Sequence, residues 1–214
     1  MGQQSVRHPV FARLYARLSV KMEPELSAFR RRLTSGLSGQ VIEIGAGNGL
    51  NFSYYPATAT RVVAVEPEPH LRAIAERNAT RAPCRVEVID GTAEQLAADD
   101  ESFDAAVVSL LLCSVHDPPA ALAEIHRVLR PGGQLRFFEH VQAESAGLRR
   151  AQRWLDAAIW PRIAGGCHTG RDTIATITGC GFILEDVERL RFPDVCLPLP
   201  TSPHVLGAAR RSNG

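Results

Sequence analysis

The chain has no apolar run approaching the roughly 18–20 residues needed to cross a bilayer. Its first segment has no secretory core either, because Arg7, Arg13 and Arg17 interrupt every apolar stretch. Cysteine is sparse: Cys84, Cys113, Cys167, Cys180 and Cys196 are odd in number and form no CxxC pair. That excludes a disulfide frame and reads as reduced thiols in a cytoplasmic protein. Adjacent Cys167 and His168 lack the second pair of ligands that a structural metal site uses, so no metal site is expected. Charge of one sign is not in excess. The formal net charge is +1, which gives no electrostatic case for a nucleic-acid partner. Repeats and low-complexity segments are absent, and 214 residues suit one domain with a sizeable core.

What is present begins with an amphipathic pattern. Phe11, Leu14, Tyr15, Leu18, Met22, Leu26, Phe29 and Leu33 recur at helical spacing, broken near Pro24. The opposite face carries Arg13, Arg17, Lys21 and Arg30 to Arg32. Residues 1–37 are expected to form an N-terminal helical extension, a lid packed on the domain that could also touch a membrane surface. From residue 38 to 214, apolar runs alternate with helical patterns. Strands are expected at 41–45, 61–66, 85–89, 103–109 and 134–140. Helices are expected at 68–79, 117–129, 146–160 and 171–179, with a short helical piece near 93–98. Runs at Phe182–Leu184 and His204–Ala209 supply two late strands. This is an α/β pattern around a mostly parallel sheet covered on both faces.

The densest signal is Val41-Ile42-Glu43-Ile44-Gly45-Ala46-Gly47-Asn48-Gly49. An apolar strand ends in three glycines spaced two apart, which lets backbone approach a bulky ligand closely. The next apolar run ends in Glu66, placed to accept hydrogen bonds from both ribose hydroxyls of a nucleoside cofactor. Glu43 aims a negative charge at the glycine turn. That disfavours a pyrophosphate and favours a cationic ligand such as S-adenosylmethionine (SAM), which carries an ammonium and a sulfonium. The glycine spacing also departs from the G-x-G-x-x-G of nicotinamide enzymes, and no Tyr-x-x-x-Lys pair is present. After the third strand, Asp90-Gly91-Thr92-Ala93 could meet the adenine, and Ser109-Leu110 ends the fourth strand.

Together with Ser102-Phe103-Asp104 and Arg127-Val128-Leu129-Arg130-Pro131-Gly132-Gly133, these motifs resemble the class I SAM-dependent methyltransferases. The resemblance implies a Rossmann-like, doubly wound seven-stranded sheet with an antiparallel last strand. It implies cofactor contacts at Glu43, Gly45, Ala46, Gly47, Asn51, Glu66, Pro67, Thr92, Ala93, Ser109 and Leu110, with S-adenosylhomocysteine as product. Many relatives have Asp where Thr92 stands. Asn51-Phe52-x-x-Tyr55-Pro56, Leu112-Cys113-Ser114-Val115, Phe138-Glu139-His140-Val141 and Gly165-Gly166-Cys167 are similar to the methyltransferase-like thiol S-methyltransferases. In animals that group is anchored to membranes by a hydrophobic N-terminal segment, where this chain has a basic amphipathic helix. The implied reaction is methyl transfer to a small-molecule acceptor. A thiol is the first choice; oxygen, nitrogen or ring-carbon acceptors, quinones and phospholipid headgroups remain open, as does a non-catalytic SAM-binding role.

A thiol has a pKa of roughly 8.5 and is mostly protonated at neutral pH, so a base or positive field would help. Candidates lie where strand C-termini meet the cleft: His140 first, then His116 with Asp117, then His168. Cys113 reads as a small apolar filler. Trp154, Ile159 and Trp160 read as core that could also wall an apolar pocket.

Overall fold

The computed structural model describes residues 9–193 and 199–212. Cys196, Pro198 and Arg7 therefore lie outside the described residues. Seven strands form one sheet: β1 (Gly39–Ile44), β2 (Ala59–Val65), β3 (Arg85–Ile89), β4 (Phe103–Ser109), β5 (Leu129–His140), β6 (Phe182–Arg191) and β7 (Pro203–Arg211). Their order is β3-β2-β1-β4-β5-β7-β6. β7 runs antiparallel to both β5 and β6, while the remaining pairs are parallel. The chain leaves β1 toward β2 and β3 on one side and returns to β4 and β5 on the other. A crevice opens at such a reversal, beyond the strand C-termini.

The apolar runs alternate with period two and so cover both faces. Ile42, Ile44, Val63, Val65, Ala106 and Val108 pack on one face, Val41, Val62, Ala64, Ala105 and Val107 on the other. The first face is covered by α4 (Pro118–Val128) through Leu122 and Ile125, and by α7 (Thr173–Gly179) through Ile177. The second is covered by α3 (Pro69–Ala79) through Ala75, and by α2 (Glu23–Thr34) through Leu26 and Leu33. α1 (Pro9–Lys21) precedes α2; the break falls at Met22, with Pro24 in the first turn of α2. Proline is tolerated there because the first-turn N–H groups have no partner within the helix. α5 (Ala146–Ala158) and the single turn α6 (Trp160–Ile163) lead into the loop before α7.

Three local expectations are corrected. Residues 93–98 are a turn closed by a Thr92–Gln95 bridge, not a helix. α4 takes over the backbone groups of this segment: Glu124 accepts from Leu96 N at 2.8 Å, and Arg127 donates to Leu96 O and Ala98 O at 3.1 and 2.8 Å. β6 extends to Arg191, well past Leu184. Its outer half is charged and exposed because it is the sheet edge, where charge discourages pairing with another chain. That hides it from an apolar-run search. Finally, β5 begins at Leu129, ahead of Pro131-Gly132-Gly133, with a register shift between Phe103 and Ala105 absorbing the irregularity.

Candidate active site

Two halves of the sheet edge carry the chemistry. In the first, β1 ends in a loop whose Gly45, Gly47 and Gly49 all have positive φ, of 70°, 56° and 75°. Any side chain at Gly45 would strike Leu111, its Cβ falling 2.5 Å from Cδ1. A Cβ at Gly47 would fall 3.3 Å from the Tyr15 ring of α1, so the helical extension stands directly over the loop. Ser19 of α1 adds a hydrogen bond from Asn48 at 2.9 Å.

Glu43 is 1% exposed. Asn51 Nδ2 and the Tyr55 hydroxyl each donate to its carboxylate at 2.8 Å. Burial pushes its pKa up to about 7 against the pull of those two donors and of Arg30. Arg30 of α2 donates to Asn51 Oδ1 at 2.7 Å, so the amide links the guanidinium to the carboxylate. Glu66, just past β2, accepts from Gly47 N at 2.7 Å and Glu68 N at 2.9 Å. Burial raises its pKa too, with those backbone donors opposing. Burial likewise raises the Tyr15 phenol, with Arg30 opposing and Glu66 adding. Neither Glu43 nor Glu66 forms an ion pair among the described residues. Two desolvated carboxylates beside a glycine turn fit a ligand that brings its own positive charge and hydroxyl donors.

The second half lies past β4 and β5. Leu110, a non-glycine residue at φ 55°, turns the chain sharply after Ser109; such strain persists where surrounding contacts fix it. Here Glu139 fixes it. This fully buried carboxylate accepts from Leu111 N at 2.8 Å, Leu112 N at 3.0 Å and Cys113 N at 3.2 Å. Burial nevertheless lifts its pKa to about 7. The turn delivers Cys113 to within 3.6 Å of Cys167, sulfur to sulfur, and Cys167 Sγ lies 3.5 Å from His140 Nδ1. Contact with Cys113, then with His140, holds the Cys167 thiol down to about 4, whereas Cys113 is pushed up. Burial alone would lower the His140 pKa, but the Cys167 sulfur reverses this and the net shift is upward. His204 packs on His140 with ring centres 4.2 Å apart, and burial followed by that neighbour drives its own pKa down to about 3.

α5 positions the loop that carries Cys167. Asp156 accepts from Thr169 N, Thr169 Oγ1 and Gly170 N at 2.8, 3.0 and 3.0 Å. Gln152 accepts from Ala143 N at 2.8 Å and donates to Val141, Thr169 and Pro200 carbonyls.

Glu43, Gly45, Ala46, Gly47, Asn51, Glu66 and Pro67 thus converge at the β1–β2 tips. Thr92 and Ala93 follow β3, and Ser109 and Leu110 end β4. Of the four base candidates, His140 alone lies in the buried cluster. His116 is exposed, and Asp117 caps α4 by accepting from Ala120 N at 3.1 Å. His168 turns onto its own loop, 2.8 Å from Gly166 O. Cys167 meets Cys113 and His140, two residues distant from it in sequence. Trp154 is 72% exposed and not core, whereas the Trp160 indole N–H is buried and unpaired. Sequence reasoning missed Tyr15, Arg30, Glu139, Gln152 and Asp156. The Glu139-His140 pair ending an apolar strand was the one available signal.

Comparison with known proteins fits this geometry. Residues 42–137 match the family described as a methyltransferase domain. Thiol S-methyltransferase TMT1B of Mus musculus is 34% identical over 96% of this chain and 88% of its own length. Thiol S-methyltransferase TMT1A of Homo sapiens is 31% identical over 93% and 85%. A SAM-dependent methyltransferase from Thermotoga maritima shares the fold with a TM-score of 0.67, 23% identity, 95% of this chain and 99% of its own. The chain belongs to the class I SAM-dependent methyltransferases, in the group that includes the thiol S-methyltransferases.

Proposed function

We propose that this enzyme transfers a methyl group from SAM to a small thiol. Bound SAM supplies a methyl group already activated on a sulfonium, so the chain's task is to hold two reactants in line and keep water out. Glu66 takes the ribose hydroxyls. Glu43, steadied by Asn51 and Tyr55, takes the ammonium end. Thr92 and Ala93 border the adenine, and the Ser109–Leu110 turn borders the sulfur. α1 and α2 act as the lid: Tyr15 covers the glycine loop, and Arg30 tethers Asn51. The acceptor enters on the side of Cys113, His140 and Cys167.

The observation that carries the thiol is the likeness to thiol S-methyltransferases over most of both chains. The test pairs labelled SAM with small alkyl and aryl thiols and, separately, with phenols. Labelled thioether with little phenol product is expected. Binding of SAM without turnover of any thiol overturns this acceptor.

No described helix is long and apolar enough to cross a membrane. The four described cysteines are free, which supports a reducing, cytoplasmic compartment. α1 exposes Leu14, Leu18 and Val20 beside Arg13, Arg17 and Lys21, and Trp154, Ile159 and Ile163 are exposed on α5, α6 and their junction. We assign this apolar and basic surface to contact with an anionic membrane, a means of meeting lipid-soluble thiols. Cosedimentation with anionic but not neutral vesicles is expected.

A further inference from the structure

We propose that Cys113, His140 and Cys167 form a zinc site with one open coordination position, and that this position takes the sulfur of the methyl acceptor. The second half of the proposal rests on the thiol reading above; the site itself does not.

The donor set is two thiols and an imidazole, the soft ligands that zinc prefers and that magnesium or calcium does not. The geometry matches as well. A tetrahedral zinc site has sulfur–sulfur edges of about 3.8 Å and sulfur–nitrogen edges of about 3.5 Å, from bond lengths of about 2.3 and 2.0 Å. The Cys113–Cys167 and Cys167–His140 edges measure 3.6 and 3.5 Å, and all three donor atoms lie within 4.8 Å of one another. The third edge, Cys113 to His140, is no longer than 4.8 Å. A disulfide between the cysteines would leave His140 without a role and require the sulfurs to approach to about 2.05 Å.

The three ligands come from separate segments, and each is held from behind. Glu139 fixes Cys113 through the backbone of the post-β4 turn. The His140 carbonyl accepts from Thr173 Oγ1 at 3.1 Å while its ring leans on His204. Cys167 follows Gly165 and Gly166 in a loop pinned by Asp156. His168 N donates to Cys113 O at 2.7 Å, tying that loop to the turn. Gly166 permits the approach, since a Cβ there would fall 2.8 Å from Ser114 O. Trp160 adds to this. Its buried Nε1–H has no oxygen or nitrogen partner and lies beside the Cys167 sulfur, where a metal-bound thiolate would accept it.

Three protein ligands leave the fourth position to water or substrate. An acceptor thiol entering there displaces the water and loses its S–H proton to solvent. Its sulfur then forms the bond to the methyl carbon as the carbon–sulfonium bond breaks, releasing S-adenosylhomocysteine. The neutral thioether leaves, and zinc keeps its oxidation state throughout.

The test measures metal by mass spectrometry on full-length protein purified with zinc, with cobalt(II) titration of the metal-free protein as a second readout. About one zinc per chain and thiolate-to-cobalt absorption are expected. Cys113→Ser, Cys167→Ser and His140→Gln should lose both while still binding SAM by calorimetry, which certifies their fold. Trp160→Phe, which removes the N–H together with the pyrrole ring but keeps an aromatic side chain, should weaken zinc about tenfold. Wild-type protein that takes up neither metal overturns the site, as does a native Cys113–Cys167 disulfide found by peptide mapping. Chelated enzyme that methylates thiols at the undiminished rate overturns the acceptor role alone. Zinc-loaded enzyme that methylates no thiol overturns the thiol reading and leaves the metal site standing.

Discussion

Two strands in this sheet carry a buried glutamate one residue before their end, and the two are held in opposite ways. Glu43 on β1 accepts from two side chains, Asn51 and Tyr55; Glu139 on β5 accepts from three consecutive backbone N–H groups. Burial drives both to about 7. A carboxylate bonded by a loop's own backbone builds that loop. One steadied by side chains, with Arg30 a residue away, remains a ligand group. On the proposed function, the same fold position serves construction on one half of the edge and recognition on the other.

Removing the two groups should break the comparison along different axes. Glu139→Ala strips the Leu111–Cys113 turn of its acceptor and leaves three backbone donors buried. A loss of about 3–5 kcal/mol is expected, read from urea unfolding. Glu43→Gln keeps the shape and removes the charge. Its stability should change little near pH 4.5, where the folded carboxyl is neutral, while SAM affinity near pH 8 falls about 10–100-fold by calorimetry, or roughly 1.4–2.7 kcal/mol. If Glu43→Gln unfolded the protein and Glu139→Ala cost only SAM affinity, the assignment of roles would be reversed.

pH sharpens the same contrast. An acid whose folded pKa lies above its unfolded value binds more protons when folded. Stability from Glu43 is therefore fully present below the unfolded pKa, 4.5, and is lost as pH rises to about 7. Glu43→Gln removes that loss, so the variant's stability relative to wild type should climb by roughly 3 kcal/mol between pH 4.5 and 8. A flat difference curve would mean that the carboxylate is not desolvated. SAM affinity should rise over the same interval in wild type only, because a cationic ligand prefers the ionised form.

The recognition half was the legible half. Its constraints sit within about ten consecutive residues, where a strand, three glycines and an acid must coexist, and Glu66 follows at the end of the next apolar run. The sheet was legible for a similar reason, since strands buried on both faces are apolar throughout. The construction half was not. Cys167 is 54 residues from Cys113 and 27 from His140, and only β4, β5 and the α5 anchors Gln152 and Asp156 bring them together. Tyr15 and Arg30 were visible as members of an amphipathic helix, but nothing in a helical period says which residue leans over a neighbouring loop. The charged outer half of β6 and the turn at 93–98 were misjudged because tertiary partners, the sheet edge and the Glu124–Arg127 pair, override local pattern.

The smallest expected effect tests a residue that sequence placed near the chemistry and structure places at a helix end. Asp117 follows the cleft-side loop after β4, and its carboxylate accepts from Ala120 N at 3.1 Å, satisfying one of the orphan donors of α4. Pro118 and Pro119 open that helix with no N–H of their own, so Ala120 carries the first donor that needs a partner. Asp117→Ala should therefore cost about 1 kcal/mol in unfolding free energy, while Asp117→Asn, which can still accept, should cost less. Neither should alter kcat for methyl transfer or its pH profile. A kcat that fell tenfold or more in both variants, with stability unchanged, would move Asp117 from the frame of the helix into the reaction and draw the boundary between the two halves of the edge in a different place.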